Sequence, residues 1–168
     1  MNTIFETKRL RVRKLKLNDF EPFHTMQSNL NVMQYVRGRA MTYQENKKEL
    51  PILISKYDKV DNDFWIYAIE RKQDNTFVGT LALVKDANND DEIGYRFLEK
   101  YWRQGYGNEI VKGLIVYCKK VGFTKLIACV VTKNTASANI IKNNGFQFVE
   151  DFISDDLKVP EKKFELLL

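Results

Sequence analysis

Between Lys8 and Lys16 the side chains alternate. Arg9, Arg11 and Arg13 fall between Leu10 and Val12, a period of two that predicts a half-buried strand with a charged outer face. Asn18 and Glu21 then stand at capping-box spacing with Pro22 in the tolerated first turn, and Phe20, Phe23, Met26 and Leu30 follow helical spacing. Thr42 and Glu45 repeat the capping-box signature ahead of a helix through Leu50, Leu53 and Tyr57, with Pro51 placed to kink it. Phe64 to Arg71 and Phe77 to Val84 predict strands around a turn at Asp74-Asn75, and the polar stretch Asp86 to Asp91 predicts the next turn. Glu92 to Leu98 reads as a strand, followed by a turn at Gly105-Tyr106-Gly107. A strongly amphipathic helix comes next, with Ile110, Val111, Leu114, Ile115, Cys118 and Val121 on one stripe and Gly122 as its stop. Leu126 to Thr132 is nearly all apolar, as in a strand covered on both faces. A short helix from Thr135 or Ser137 to Asn144 stops at Gly145, and strands Phe146 to Phe152 and Lys163 to Leu168 close the chain. The order is strand, two helices, three strands, helix, strand, helix, two strands. It predicts an α/β fold with a mixed sheet and helices on its faces.

The chain of 168 residues has no repeat, no low-complexity tract and no linker rich in Gly, Ser or Pro, so one domain over residues 1–168 is expected. An apolar fraction of 44% and a charged fraction of 29% argue against disorder. No run approaches the ~18 apolar residues of a membrane span. Met1 to Leu10 turns polar before a signal-peptide core can form, so a cytoplasmic location without membrane attachment is expected. The two cysteines, Cys118 and Cys129, lack metal-site spacing and read as reduced, buried thiols. His24 is the single histidine, which removes zinc hydrolases with paired histidines and most Ser-His-Asp arrangements; no metal is expected. The net charge of +5 suits an anionic partner without choosing one. Nucleic acid is not favoured, because no aromatic residues interleave the arginines of the first strand to stack bases.

The segment Trp102-Arg103-Gln104-Gly105-Tyr106-Gly107-Asn108 sits between a predicted strand and a helix, where backbone N–H groups freed by glycine form a donor site for phosphate. It is neither a Walker loop, lacking Gly-Lys-Ser/Thr, nor a dinucleotide fingerprint, lacking the third glycine. Taken alone, it also fits a plain turn before a helix. Some thirty residues on, Asn134 precedes the short helix that carries Ser137 and ends at Asn144-Gly145-Phe146. Taken alone, that is a capped helix with a glycine stop.

In this order, and together with Glu6-Thr7-Lys8-Arg9-Leu10-Arg11-Val12-Arg13 and Glu92-Ile93-Gly94-Tyr95, the two segments resemble the GNAT superfamily of Gcn-related N-acetyltransferases. The likeness is in particular to its Rim-type branch of ribosomal-protein and small-amine acetyltransferases. The resemblance covers nearly the whole chain. It implies a mostly antiparallel mixed sheet with two splayed central parallel strands, here Glu92 to Leu98 and Leu126 to Thr132, and acetyl-CoA as co-substrate in the splay. Phe97 and Leu98 would then offer backbone groups to the pantetheine arm and the acetyl carbonyl. Arg103, Gln104, Gly105, Tyr106, Gly107 and Asn108 would hold the pyrophosphate by backbone amides. Asn134 would bond the pantetheine arm, Ser137 would sit near the thioester, and Lys142 would meet the CoA phosphates unless it is simply a solvated surface lysine. Glu92 matches the acidic residue of the Glu-Ile-Gly-Tyr text and is the expected base for the amine, directly or through water. A main-chain N–H of Phe97 or Leu98 would stabilise the carbonyl oxygen.

Trp102 stands where many members carry Arg or Gln, although the Rim-type branch often has Trp there. Ile141 stands where many carry the Tyr that protonates the leaving thiolate, which leaves the acid without a residue. Acceptor selectivity would lie in Met33 to Met41 and Ser154 to Lys163. Tyr35, Arg37, Arg39, Asp151, Asp155 and Asp156 would line or rim the mouth, the acidic groups favouring a cationic amine or merely facing solvent. The implied activity is acetyl transfer to a peptide N-terminus or a small amine, by a monomer or homodimer. Two alternatives stay open: a non-catalytic acyl-CoA-binding regulatory domain, supported by Ile141, and a basic nucleic-acid-binding domain, supported by charge.

Overall fold

The computed structural model describes residues 3–168; residues 1–2, which the expectations for the domain and for Met1 to Leu10 include, lie outside the described residues. Eight strands form one sheet in the order β1-β2-β3-β4-β5-β6-β8-β7: β1 Thr3–Glu6, β2 Leu10–Lys14, β3 Phe64–Arg71, β4 Thr76–Lys85, β5 Asp91–Phe97, β6 Lys125–Val131, β7 Gln147–Ile153 and β8 Pro160–Leu167. Every neighbouring pair is antiparallel except β5 and β6. Five helices join them: α1 Phe20–Gln27, α2 Leu30–Met33, α3 Tyr43–Ser55, α4 Tyr106–Val121 and α5 Thr135–Asn143. This is the expected mixed, mostly antiparallel sheet with a central parallel pair. The elements from β3 onward lie within a few residues of the sequence reading, and β1 is an eighth strand that the reading omitted.

The first forty residues depart most from expectation. Arg13, assigned to a charged outer face, is only 4% exposed and donates to Asp19 and Glu70 at 2.7–2.9 Å. At Arg13 the face that alternation marks as outward is covered by the turn into α1, so this end of the strand is buried there and its cation needs buried carboxylates. Asp19 also accepts the Lys16 backbone N–H, so the turn before α1 is built on Asp19 rather than on Asn18 and Glu21. Leu30 does not continue the α1 stripe. Asn29 accepts from Asn31 N–H and starts α2 afresh, leaving Leu30 56% exposed.

Other signals match directly. Thr42 and Glu45 exchange the two capping-box hydrogen bonds at the start of α3, which runs on through Pro51. α4 buries Tyr106, Ile110, Val111, Leu114 and Cys118 and ends at Gly122 with φ of 97°, a conformation natural to glycine. Along β5 the side chains alternate: Tyr95 meets Ser137 of α5, while Arg96 meets Gln27 of α1. So α4 and α5 cover one face and α1–α3 the other, with the core between each layer and the sheet.

Candidate active site

The sheet parts at β5 and β6. These strands share one registered pair, Glu92 with Ile127, whereas β4–β5 and β6–β8 run in register along their length. Beyond Glu92 the facing backbone of β5 has no strand partner. Which groups face the gap follows from the β4–β5 ladder. Leu98 donates its N–H to Val78 C=O at 2.9 Å. Hydrogen-bonded and non-bonded pairs alternate in an antiparallel ladder, so Phe97 opposite Gly79 and Tyr95 opposite Leu81 turn their N–H and C=O toward β6. The Phe97 carbonyl is taken by the Trp102 indole N–H at 2.9 Å, and the Leu98 carbonyl accepts from Tyr101 N–H. Leu98, expected with Phe97 to offer backbone groups to the pantetheine arm and the acetyl carbonyl, therefore has its N–H in the ladder and its C=O in a turn bond. The open groups are Phe97 N–H and the Tyr95 N–H and C=O.

At the wide end of the splay lies the turn into α4. Arg103 and Gly105 both hold left-handed backbone, φ 59° and 80°, a winding that curls successive N–H groups toward one side. No side chain caps α4; its first intrahelical bond runs from Glu109 N–H to Gly105 C=O, so the Tyr106, Gly107 and Asn108 amides lack helical acceptors. A Cβ on Gly107 would stand 2.8 Å from Ile140 Cδ1, so glycine lets α4 close on α5 beside Tyr95. Arg9 braces the turn in a way the sequence did not show. It donates to Gln104 C=O at 2.9 Å, pairs with Glu109 at 2.7 Å, and lies 4.5 Å over the Tyr106 ring. The Asn108 side chain accepts from Asn144 at 2.8 Å, joining the starts and ends of the two helices.

Asn134 caps α5 by accepting from Ser137 N–H, which leaves its own amide N–H₂ unspent. The Ser137 hydroxyl lies 3.2 Å from the Tyr95 hydroxyl. Sequence alone gives Tyr95, the end of the Glu-Ile-Gly-Tyr segment, no chemical role; burial raises its pKa, opposed by the bond to Ser137. Ile141 is 1% exposed and part of the core. Lys142 is exposed and forms no ion pair among the described residues.

Glu92 sits at the closed end of the splay, on the α1–α3 face. Burial raises its pKa, and the charges of Asp86 and Glu161 add to the effect; a hydrogen bond with Cys129 partly offsets it. Glu161 is raised too, by burial and by Asp156. At ~3.3 Å per residue Glu92 lies ~17 Å along β5 from Phe97, so its carboxylate does not reach the Phe97 amide directly. Burial pushes both cysteine thiols up to about 12, which makes either a poor nucleophile. Around the expected acceptor mouth, Arg37 pairs with Glu49, Arg39 with Glu45 and Asp151 with Lys162. Arg96, absent from the sequence reading, lies beneath this segment. A groove of about 620 Å³ between β1 and α4, lined by Phe5, Val116 and Tyr117, lies away from the splay and holds none of the predicted residues.

Known proteins resemble this chain in sequence and in fold. A family model described as the acetyltransferase (GNAT) domain matches residues 9–147. Two Bacillus subtilis (strain 168) proteins named as N-acetyltransferases are similar. YoaA is 26% identical over 151 residues, covering 88% of this chain and 84% of the relative, and YnaD is 27% identical over 143 residues, covering 84% and 81%. Among solved structures, a GNAT-family acetyltransferase from Bacillus anthracis superposes with TM-score 0.84 at 22% identity, over 97% of both chains. RimL, the ribosomal L7/L12 alpha-N-protein acetyltransferase solved with coenzyme A, superposes with TM-score 0.83 at 15% identity, over 99% and 98%. Spermidine N-acetyltransferase from Vibrio cholerae, solved with CoA and spermine, superposes with TM-score 0.78 at 16% identity, over 95% of both.

Proposed function

The chain belongs to the GNAT acetyltransferase family, and from that premise we propose that residues 1–168 act as one domain moving an acetyl group from acetyl-CoA to a primary amine, by direct attack in a ternary complex. The observation that carries this reading is the parting of β5 from β6, which leaves the Tyr95 N–H and C=O and the Phe97 N–H open beside the uncapped start of α4. The co-substrate supplies an activated acetyl thioester and a thiol leaving group. The chain's own residues divide the remaining work. The amides from Arg103 to Asn108 bind the pyrophosphate, and Lys142, exposed near the end of α5, meets the CoA phosphates. The free amide N–H₂ of Asn134 and the Tyr95 backbone hold the pantetheine arm. The Phe97 N–H meets the carbonyl oxygen as negative charge develops there.

Glu92, with its raised pKa, takes the proton of the incoming ammonium through a chain of waters rather than by contact, given its distance along β5. On the other face the Tyr95–Ser137 hydroxyl pair supplies the proton to the departing sulfur, filling the role that Ile141 cannot. The cysteines take no part, since a ternary complex needs no acyl-enzyme. The similar structures named for acting on a protein N-terminus and on spermidine support a primary amine as acceptor. Thermal-shift titration with acetyl-CoA, followed by thiol release against a panel of amines and amino-terminal peptides, tests the reading. A rise in melting temperature with amine-dependent thiol release is expected. Stabilisation without release for any amine favours a CoA-binding regulatory domain, and no stabilisation at saturating acetyl-CoA sinks the proposal.

A further inference from the structure

Of the eight arginines in the sequence, six pair with carboxylates: Arg9, Arg11, Arg13, Arg37, Arg39 and Arg71. Among the described residues, Arg96 and Arg103 form no such pair. Arg103 is exposed on the turn before α4, where a free cation costs nothing. Arg96 is different. It projects from β5 into the layer under α1 and α2, densely surrounded by protein atoms, and burial pushes its pKa down to about 10, with the nearby Arg37 charge adding to the effect and Glu49 opposing it. It stays protonated at neutral pH, and the protein meets it with neutral groups only: Nη1 donates to Gln27 Oε1 at 2.7 Å and lies 3.7 Å from Met33 Sδ.

The surroundings fix Arg96 without neutralising it. Gln27 is held through its own N–H₂, which donates to Asn46 at 2.7 Å and to Glu49 at 3.0 Å, and Asn46 in turn meets His24 Nδ1 at 2.9 Å. Gln27 and Asn46 are both buried. Glu49, the nearby carboxylate, is spent on a two-point pair with Arg37 at 2.6 and 2.9 Å. Two guanidiniums and one carboxylate leave one positive charge without a counterion. Among the described residues the Nε and Nη2 edge of Arg96 makes no hydrogen bond, no buried side-chain nitrogen lacks a partner, and Arg96 is only half-buried, so that edge meets solvent. It is the edge whose two parallel N–H groups match a carboxylate.

From these contacts the geometry points to Arg96 as an anion subsite of the acceptor site, selecting amines that carry a carboxylate near the amino group. This rests on the acetyltransferase reading above and narrows its acceptor. Arg96 is adjacent in sequence to Phe97, whose N–H faces the splay, so an oxyanion held on Arg96 lies within a side chain's length of the reacting carbonyl. On the same face, across the splay at its wide end, Glu161 pairs with Val131, four residues beyond Ile127, the partner of Glu92, and its carboxylate suits the ammonium of the same molecule. A guanidinium with a carboxylate facing it across the splay matches a zwitterion better than a polyamine. The carboxylate has two sources: the α-carboxylate of a free amino acid, or an acidic side chain at the first residue of a peptide.

Matched acceptors test this: free amino acids, their carboxamides, the corresponding amines without the carboxyl group, and peptides beginning with Asp, Glu or Ala. A charge-assisted two-point contact predicts that kcat/KM falls roughly ten- to a hundredfold when the carboxylate is removed. Arg96→Gln is expected to collapse that ratio toward one, and Arg96→Lys to restore part of it. If free amino acids are inert while Asp- or Glu-initiated peptides outrun the Ala peptide, the subsite takes the side-chain carboxylate. Equal rates with and without the carboxylate, a preference for polyamines, or a preference that survives Arg96→Gln overturns the inference. A second arm needs no turnover: N-acetyl amino acids added to CoA-saturated protein raise the melting temperature of the wild type and not of a folded Arg96→Gln. A failure of CoA itself to stabilise either protein counts against the acetyltransferase reading, while the subsite stands or falls on the N-acetyl amino acid titration.

Discussion

Tyr95→Phe removes one oxygen from the site and almost nothing else. The Tyr95 and Ser137 hydroxyls are 3.2 Å apart, longer than the usual 2.5–3.0 Å for such a pair, so their ground-state bond is worth at most about 1 kcal/mol. Ser137 is only part-buried and can turn its hydroxyl to solvent, and the ring keeps its packing against Phe97. The expected loss of melting temperature is therefore no more than about 2–4 °C for a domain of this size. The effect on rate should be larger. A buried phenol with a raised pKa remains a neutral donor across the physiological range. General acid catalysis contributes about 10²- to 10⁴-fold, and a thiol, with a pKa of about 8.5, needs it least, so the low end applies: about a hundredfold in kcat, or about 2.7 kcal/mol. Steady-state thiol release at saturating acetyl-CoA should show this with little change in the KM for acetyl-CoA. Ser137→Ala should cost a similar factor, and the double variant no more than either single one, because one proton route is removed once. A Tyr95→Phe protein with kcat within threefold of wild type, or single losses that multiply in the double variant, would refute the relay.

Glu92→Gln should lower kcat/KM by about 10²-fold or more while raising stability at pH 7. A carboxyl whose folded pKa is raised costs stability as pH rises above its unfolded value, so the gain in melting temperature should vanish below about pH 4. The pH–rate profile of the wild type should have its acidic limb above the ordinary carboxylate range, and Glu92→Gln should lack it. Arg13→Leu leaves Asp19 and Glu70 buried without their shared cation and should cost about 3–5 kcal/mol, read as a fall in melting temperature of roughly 10 °C; an unchanged midpoint contradicts the buried-network account. Gly105→Ala forces a Cβ into left-handed backbone at about 1 kcal/mol and should weaken acetyl-CoA binding in calorimetry more than it lowers the melting temperature.

The parts of the fold that sequence shows well are those where one local signal decides the structure. The stripe along α4 as far as Cys118, its Gly122 stop, the Thr42–Glu45 capping box and the Asp74-Asn75 hairpin lie where the pattern puts them, while Val121, expected on the stripe, is exposed in the last turn. The failures share a cause. Alternation around Arg13 reports which residues are polar, and polarity is a proxy for exposure only when nothing roofs that face. Here the turn into α1 does, and Asp19 and Glu70, six and fifty-seven residues away, supply the compensation that makes a buried guanidinium tolerable. A four-residue edge strand such as β1 is too short for any period to register.

The site divides along the same line. The start of α4 and the Asn134 cap are local motifs, and the chain places them beside the splay. What orders the chemistry is register, which no motif records. One pairing, Leu98 with Val78, decides that Leu98 is spent and Phe97 is free, because each residue along β5 turns its amide the opposite way from the last. The same alternation sends Tyr95 to Ser137 on one face and Arg96 to Gln27 on the other, so neighbours in sequence serve different partners. A slip of one residue in β5 would exchange those two faces, placing a guanidinium against α5 and a phenol under α1. The proposed proton donor and anion subsite thus both depend on one strand register, and a sequence change that shifted it would be expected to remove both together.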